Sequence, residues 1–449
     1  MATPARARRR KIHRERQRVR IAVNGLGQAP LLSTPWNDVS NSSVFCGTCI
    51  RLILAISQPN TGRIVHFFGT MSVMHINVCA GGKRKAMADL FTPFELHGAA
   101  LSNRAVMAPM TRTRATEDGV PTILMRDYYA QRADAGLIIT ECTQISDQAH
   151  GIIRAPGIHR ADQVDGWRPI TQIVHDKGSR IFNQIWHPGR VSHPEIMGGN
   201  APVAPSAIPA EGDFFLPSGR VPFTVPRALG LEEISGVVAD FAQATRNARE
   251  AGFDGVEIHG ANGYLLQQFL EDGSNTRSDA YGGSIENRAR LTLEVVDAAI
   301  AQWDTDHVAI RLSPAGVHYG MRDSGRPALY DYLIRELAAR SIAYIHVTGA
   351  NKASYDAGPV SIENVAGFTR ARFPGAIIIN GGYNRKKAER VLAGGDADLV
   401  AFGVPFLANP DLLTRMKVGA ELNRPDPATF YGEGIRGYTD YPFLTSAQA

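Results

Sequence analysis

The stretch Gly252-Phe253-Asp254-Gly255-Val256-Glu257-Ile258-His259-Gly260-Ala261-Asn262-Gly263-Tyr264 decides the fold. It follows a long helical pattern, Leu231–Ala251. Its apolar run, Gly255–Gly260, is short, and a short run lying between helices reads as a parallel strand buried on both faces. Its exit carries His259, Asn262 and Tyr264. In a barrel of alternating strands and helices, polar residues at a strand's C-terminal end read as functional, because the strand interior must pack.

The same unit recurs along the chain. Eight runs carry the pattern: Arg104–Ala108, Gly136–Cys142, Arg180–Trp186, Gly255–Gly260, Val308–Ser313, Tyr344–Gly349, Ala376–Asn380 and Leu399–Gly403. Helical patterns fall between them, Ile285–Gln302 among them, with Ser284 placed to cap it. Eight units in about 350 residues predict an α/β fold, a (β/α)8 TIM barrel. A doubly wound open sheet is the alternative, disfavoured because no GxGxxG follows the first run. One gap, 187–230, is oversized and rich in Pro, Gly and Ala. It is expected to be a capping insertion after strand three, anchored by Trp186, Phe214, Phe215 and Phe223.

The charge is divided. Residues 1–86 carry 14 Lys/Arg against only Glu15 and Asp38, a net of +12, which leaves −7 for the remainder. Cys46, Cys49 and Cys79 also fall in this first part, and only Cys142 lies beyond it. Globular patterning begins abruptly at Met87, so residues 1–86 are expected to be an unstructured extension from a frame opened upstream of the true start. A targeting or nucleic-acid arm at Arg6–Arg20 is the competing reading. Cys46-Gly47-Thr48-Cys49 has no second pair and no βαβ context, so it reads as chance. The body, 87–449, reads as a reduced, cytoplasmic enzyme with no nucleic-acid partner. No apolar run reaches the roughly 20 residues of a membrane span.

The other strand ends are also polar. Gln184 offers donor and acceptor together, which suits the imide edge of a planar ring. Arg311, buried at a strand end, calls for an anion, and a reduced flavin supplies one. Gly381, Gly382 and Gly403 follow strands seven and eight, where backbone N–H groups can approach a phosphate. A sugar phosphate would suit these glycines equally. His259 and Asn262 can both donate to one carbonyl or nitro oxygen, and Tyr264 can deliver a proton. No second ligand at suitable spacing supports zinc here, so no metal is expected.

Longer segments then match a known pattern. Leu90-Phe91-Thr92-Pro93, Asn103–Arg112, Gln184-Ile185-Trp186-His187-Pro188-Gly189-Arg190, Ala251–His259, and above all Ser274–Arg288 carry it. The chain from 87 to 449 resembles the Old Yellow Enzyme family of FMN-dependent ene-reductases, in its N-ethylmaleimide/xenobiotic reductase branch. The resemblance implies a barrel holding FMN tightly and non-covalently. Pro109, Thr111 and Cys142 would touch the flavin, Cys142 replacing a usual alanine. Gln184 would bind the pyrimidine edge, Arg311 would offset charge on the reduced ring, and Gly381, Gly382, Gly403 and Val404 would line the phosphate. Trp186, His259 and Asn262 would contact substrate, with Tyr264 as proton donor. NADPH or NADH would be the reductant. Enones and maleimides, with nitro compounds or nitrate esters, would be the substrates. The protein would act as a monomer or homodimer.

Two departures stand out. Val404 replaces a usual arginine at the phosphate, and Arg385 is expected to compensate in part. Gly151-Ile152-Ile153 lacks a usual aromatic over the substrate. A dienoyl-CoA-type reductase is excluded, since no cysteine after Cys142 could hold an iron–sulfur cluster. A weakly FMN-binding, catalytically silent paralogue is the remaining rival.

Overall fold

The structure, a computed structural model, describes residues 89–445. Residues 1–86, whose reading as an extension was argued from charge and patterning, lie outside the described residues.

Eight parallel strands form the closed sheet: β1 (Ala105–Met107), β2 (Leu137–Ile139), β3 (Arg180–Trp186), β4 (Gly255–Gly260), β5 (Val308–Leu312), β6 (Tyr344–Thr348), β7 (Ala376–Asn380) and β8 (Leu399–Phe402). Each pairs with the next in sequence. β8 pairs with β1, Phe402 opposite Met107, and this closes the barrel. The main outer helices are α1 (Ile123–Gln131), α2 (Ala161–Asp176), α3 (Leu231–Glu250), α4 (Ile285–Gln302), α5 (Arg326–Ala339), α6 (Val365–Arg370), α7 (Arg385–Gly394) and α8 (Leu412–Val418). All eight expected runs contain a barrel strand, and the two expected helices form where the pattern placed them. Ser284 caps α4, its hydroxyl accepting from Asn287 N at 3.3 Å.

One strand is shorter than its apolar run. The run Gly136–Cys142 leaves the ladder at Thr140, whose hydroxyl accepts from Gln184 N at 3.0 Å. Pairing resumes after Cys142, where Thr143–Gln144 runs beside Ile185–Trp186. A side-chain acceptor has replaced a backbone one, and the strand breaks there.

The inward residues form layers. The lowest is apolar, with Val106, Ile139, Phe182, Tyr344, Ile378 and Leu399. A hairpin of Phe94–Leu96 and Ala99–Leu101, invisible in the sequence pattern, adds Leu96 and Leu101 to this layer. Its turn residues, His97 and Gly98, have φ of 45° and 84°, the paired positive angles of a two-residue hairpin turn. His97 Nδ1 lies 2.9 Å from Asp306, just before β5, so the hairpin stops the N-terminal mouth.

The C-terminal tail returns to the loop after β1 and to the end of α1 through three buried arginines. Arg112 donates to Phe430 O at 2.9 Å and to Gly437 O at 2.6 Å. Arg114 donates to Thr429 O and Arg436 O, and Arg132 donates to Tyr438 O. Tyr438 stacks on Tyr128 with centroids 4.0 Å apart.

Segment 187–230 contains a hairpin, Asp213–Leu216 with Gly219–Pro222. Phe214 and Phe223 are buried and pack with Val191, Ala210, Leu216, Tyr264 and Tyr319. Phe215 does not anchor it: strand alternation turns it outward, 64% exposed, under the Arg220 guanidinium. Among the described residues, no helix is long and apolar enough to cross a membrane.

Candidate active site

A polar layer lies above the apolar one. Register sets Gln184 on β3 opposite Glu257 on β4. Gln184 Nε2 donates to Glu257 Oε1 at 2.7 Å, and His346 Nδ1 meets Glu257 Oε2 at 2.9 Å. Cys142 Sγ donates to Gln184 Oε1 at 3.3 Å. The Gln184 amide is thus clamped, with one N–H and one lone pair left over. Burial pushes the Cys142 thiol up to about 12, so it stays protonated. Glu257 and His346 were not singled out from sequence, since both are strand-interior residues whose meeting depends on register.

Arg311 comes next on β5, opposite His259 and His346. Its Nη2 donates to Asn380 Oδ1 at 3.2 Å, while its buried Nε has no partner. Burial lowers its pKa and Glu257 opposes the shift, which marks a cation with too little anion around it. Beside it, Gly381 has φ of 128°, and a Cβ at Gly382 would meet nothing within 4 Å. An unpaired buried guanidinium next to an open glycine cradle fits an anionic ring with a phosphate tail, and these residues fit FMN.

His259, Asn262 and Tyr264 gather at the exit of β4. Ala261 N donates to His259 Nδ1 at 3.3 Å, which places the neutral ring's proton on Nε2. Burial, then Arg311, His346 and His318, hold the His259 pKa well below its ordinary value, so this donor is neutral. Asn262 has φ of 56°, and its N–H donates to Ser313 Oγ at 2.9 Å. Ser313 in turn donates to Gln267 Oε1 at 2.9 Å. Tyr264 packs edge-on to Trp186 and His259, with centroids 5.1 and 4.9 Å away. Burial above all, with the neighbouring Tyr319 and Cys142 groups adding to it, pushes the Tyr264 pKa well up, so its phenol keeps its proton at neutral pH.

Thr111, half-buried after β1 beside Pro109, adjoins the Cys142 thiol. Trp186 is fully buried, with its indole N–H unpartnered. Gly151 packs so tightly that a Cβ would lie 2.6 Å from Trp186 and 2.5 Å from Pro188. Gly403 directly precedes Val404, which is 44% exposed and opens the short helix Val404–Ala408.

One expectation is corrected. Arg385 does not serve the phosphate cradle, because its guanidinium is held by Glu389 at 2.7 Å, by Met416 O at 2.5 Å and by the Phe91 ring. Lys387 instead reaches this loop, its Nζ 3.4 Å from Gly382 O. Tyr319, whose ring packs against Tyr264 with centroids 6.2 Å apart, was also missed, being remote in sequence with no motif to mark it. Among the described residues, no group of three or more His, Cys, Asp or Glu could hold a metal ion.

A TIM barrel with this cradle and cation defines a flavin-dependent oxidoreductase. Residues 89–423 match the model of the NADH:flavin oxidoreductase / NADH oxidase family. A probable flavin mononucleotide-dependent alkene reductase of Leishmania infantum is 43% identical over 80% of this chain and 99% of that protein. The 12-oxophytodienoate reductase 1 of Oryza sativa subsp. japonica is 44% identical over 80% of this chain and 94% of that protein. Among solved structures, morphinone reductase is 45% identical with a TM-score of 0.78, covering 82% of this chain and 99% of that one. The chain belongs to this family, in its Old Yellow Enzyme group. Its cofactor is FMN and its reductant is NAD(P)H.

Proposed function

We propose that this ene-reductase acts on enones and maleimides, and also on nitro compounds or nitrate esters, with Tyr264 as proton donor. The observation that carries the reading is the Ala261 N–H bond to His259 Nδ1, which leaves Nε2–H as a neutral donor beside Asn262 and Tyr264. Bound FMN supplies the hydride chemistry between NAD(P)H and the alkene. The protein's own groups do the rest. His259 Nε2–H and the Asn262 amide grip the electron-withdrawing oxygen, where negative charge develops as the double bond is reduced. Tyr264 delivers a proton to the α-carbon. The unpaired Arg311 charge balances the anionic ring, and clamped Gln184 faces its pyrimidine edge. Pro109, Thr111 and Cys142 line the flavin, while Gly381, Gly382, Gly403 and Val404 line the phosphate. Trp186 shapes the substrate side, and segment 187–230 covers the pocket and excludes water.

The test is the visible spectrum of the purified chain under anaerobic conditions. Flavin absorbance should bleach with NADPH and return with 2-cyclohexenone. In Tyr264→Phe the return should slow by about a hundredfold or more. A colourless protein, inactive with excess FMN, would establish a silent paralogue instead.

A further inference from the structure

Tyr319 is a residue the chemistry above leaves unused. It lies in the loop after β5 with a left-handed backbone, φ 58°. A bulky residue keeps that conformation only where its surroundings fix it. Here they do. Tyr319 O accepts from Glu211 N at 3.1 Å and from Arg190 Nη2 at 3.2 Å, both in segment 187–230. Arg190 also binds Ile208 O and Pro209 O, each at 3.2 Å, so one guanidinium ties that segment to Tyr319. From below, the Gly263 turn presses on the same loop. A Cβ there would lie 2.8 Å from His318 O and 3.0 Å from the Tyr319 ring. The ring packs edge-on to Phe223 at 5.6 Å and tilts over Tyr264 at 6.2 Å. Tyr319 is thus a phenol packed directly against the Tyr264 ring. Tyr319 is only half-buried, so one side faces solvent.

We propose that Tyr319 is a positioning residue for Tyr264 and the next link in its proton supply. The inference rests on Tyr264 being the donor. When the Tyr264 O–H breaks and a C–H bond forms on the substrate, a phenolate remains on Tyr264. The Tyr319 hydroxyl then donates to that oxygen and passes its proton to it. Water returns a proton to Tyr319, so each proton given to substrate is matched by one taken from solvent. Segment 187–230, through Arg190 and Glu211, thereby governs the proton step as well as pocket shape.

The experiment follows the two half-reactions of the flavin-loaded full chain separately, by stopped flow. In Tyr319→Phe, reoxidation by 2-cyclohexenone should slow by about tenfold. Its solvent deuterium isotope effect should rise, while reduction by NADPH stays within about twofold. That intact reduction shows that the variant is folded. Equal losses in both half-reactions would mean a merely structural role and overturn the proposal. So would wild-type reoxidation with an unchanged isotope effect. Tyr264→Phe separates the two ideas. If it is slow while Tyr319→Phe is not, the relay falls alone. If it reoxidises at the wild-type rate, the donor reading falls and the relay falls with it.

Discussion

Asn262 and Arg311 each hold a conformation or charge that the protein alone does not reward. Asn262 accepts a left-handed backbone, which asparagine tolerates better than most residues. Arg311 keeps a buried cation with one hydrogen-bonded partner. Arg311→Met should therefore weaken FMN binding by roughly 10–100-fold, the loss of a charge-assisted hydrogen bond. It should not lower the melting temperature of the flavin-free protein, because an uncompensated charge leaves with it. Fluorescence titration and thermal melts check the two halves. The same titration should find Arg385→Ala unchanged and Lys387→Ala weakened severalfold, with opposite results showing the cradle to be served the other way. Strand-end position made His259, Asn262, Tyr264 and Arg311 legible in the sequence, because an apolar run that ends in a polar group announces itself. Glu257 sits within such a run, and its partners Gln184 and His346 lie on other strands. That network exists only once register is set.

Elements were legible where hydrophobic pattern and length agreed. The barrel strands and α4 are of this kind. The Phe94–Leu101 hairpin was not, since its strands are three residues each and carry no measurable period. Thr140 was missed for a different reason: its hydroxyl competes with the backbone, and propensity does not see a partner on β3. The hairpin's value is testable. Leu96 is 2% exposed in the lowest layer, so Leu96→Ala should cost about 2–5 kcal/mol in urea unfolding. The KM for an enone should not change, because the plug is at the other mouth. A raised KM would show that the two mouths communicate.

At the scale of the molecule, buried titratable groups oppose one another. Burial, and then Asp411, push Asp134 up to about 7, and burial pushes Glu141 up to about 7. A carboxyl raised in the folded state favours folding when protonated. Its contribution is full below its unfolded pKa and is lost as pH climbs from about 4 through 7. Burial lowers His187 to about 3, and a depressed histidine works the other way. Its contribution is present above its unfolded pKa, near 6.5, and is lost as pH falls from there toward 3. Asp134→Asn should therefore shrink the fall in melting temperature between pH 5 and pH 8 by a few degrees. An unchanged difference would mean that Asp134 ionises freely in the folded protein.

Barrel closure has a temporal side. β1 finds its last neighbour in β8, and Arg112, Arg114 and Arg132 each find acceptors in residues 429–438. A ribosome emits β1 well before β8 and residues 429–438. Until those partners emerge, the nascent sheet keeps two raw edges, and three guanidiniums lack part of their set of carbonyls. An open edge can pair with a neighbouring chain, and closure by β8 removes that opportunity.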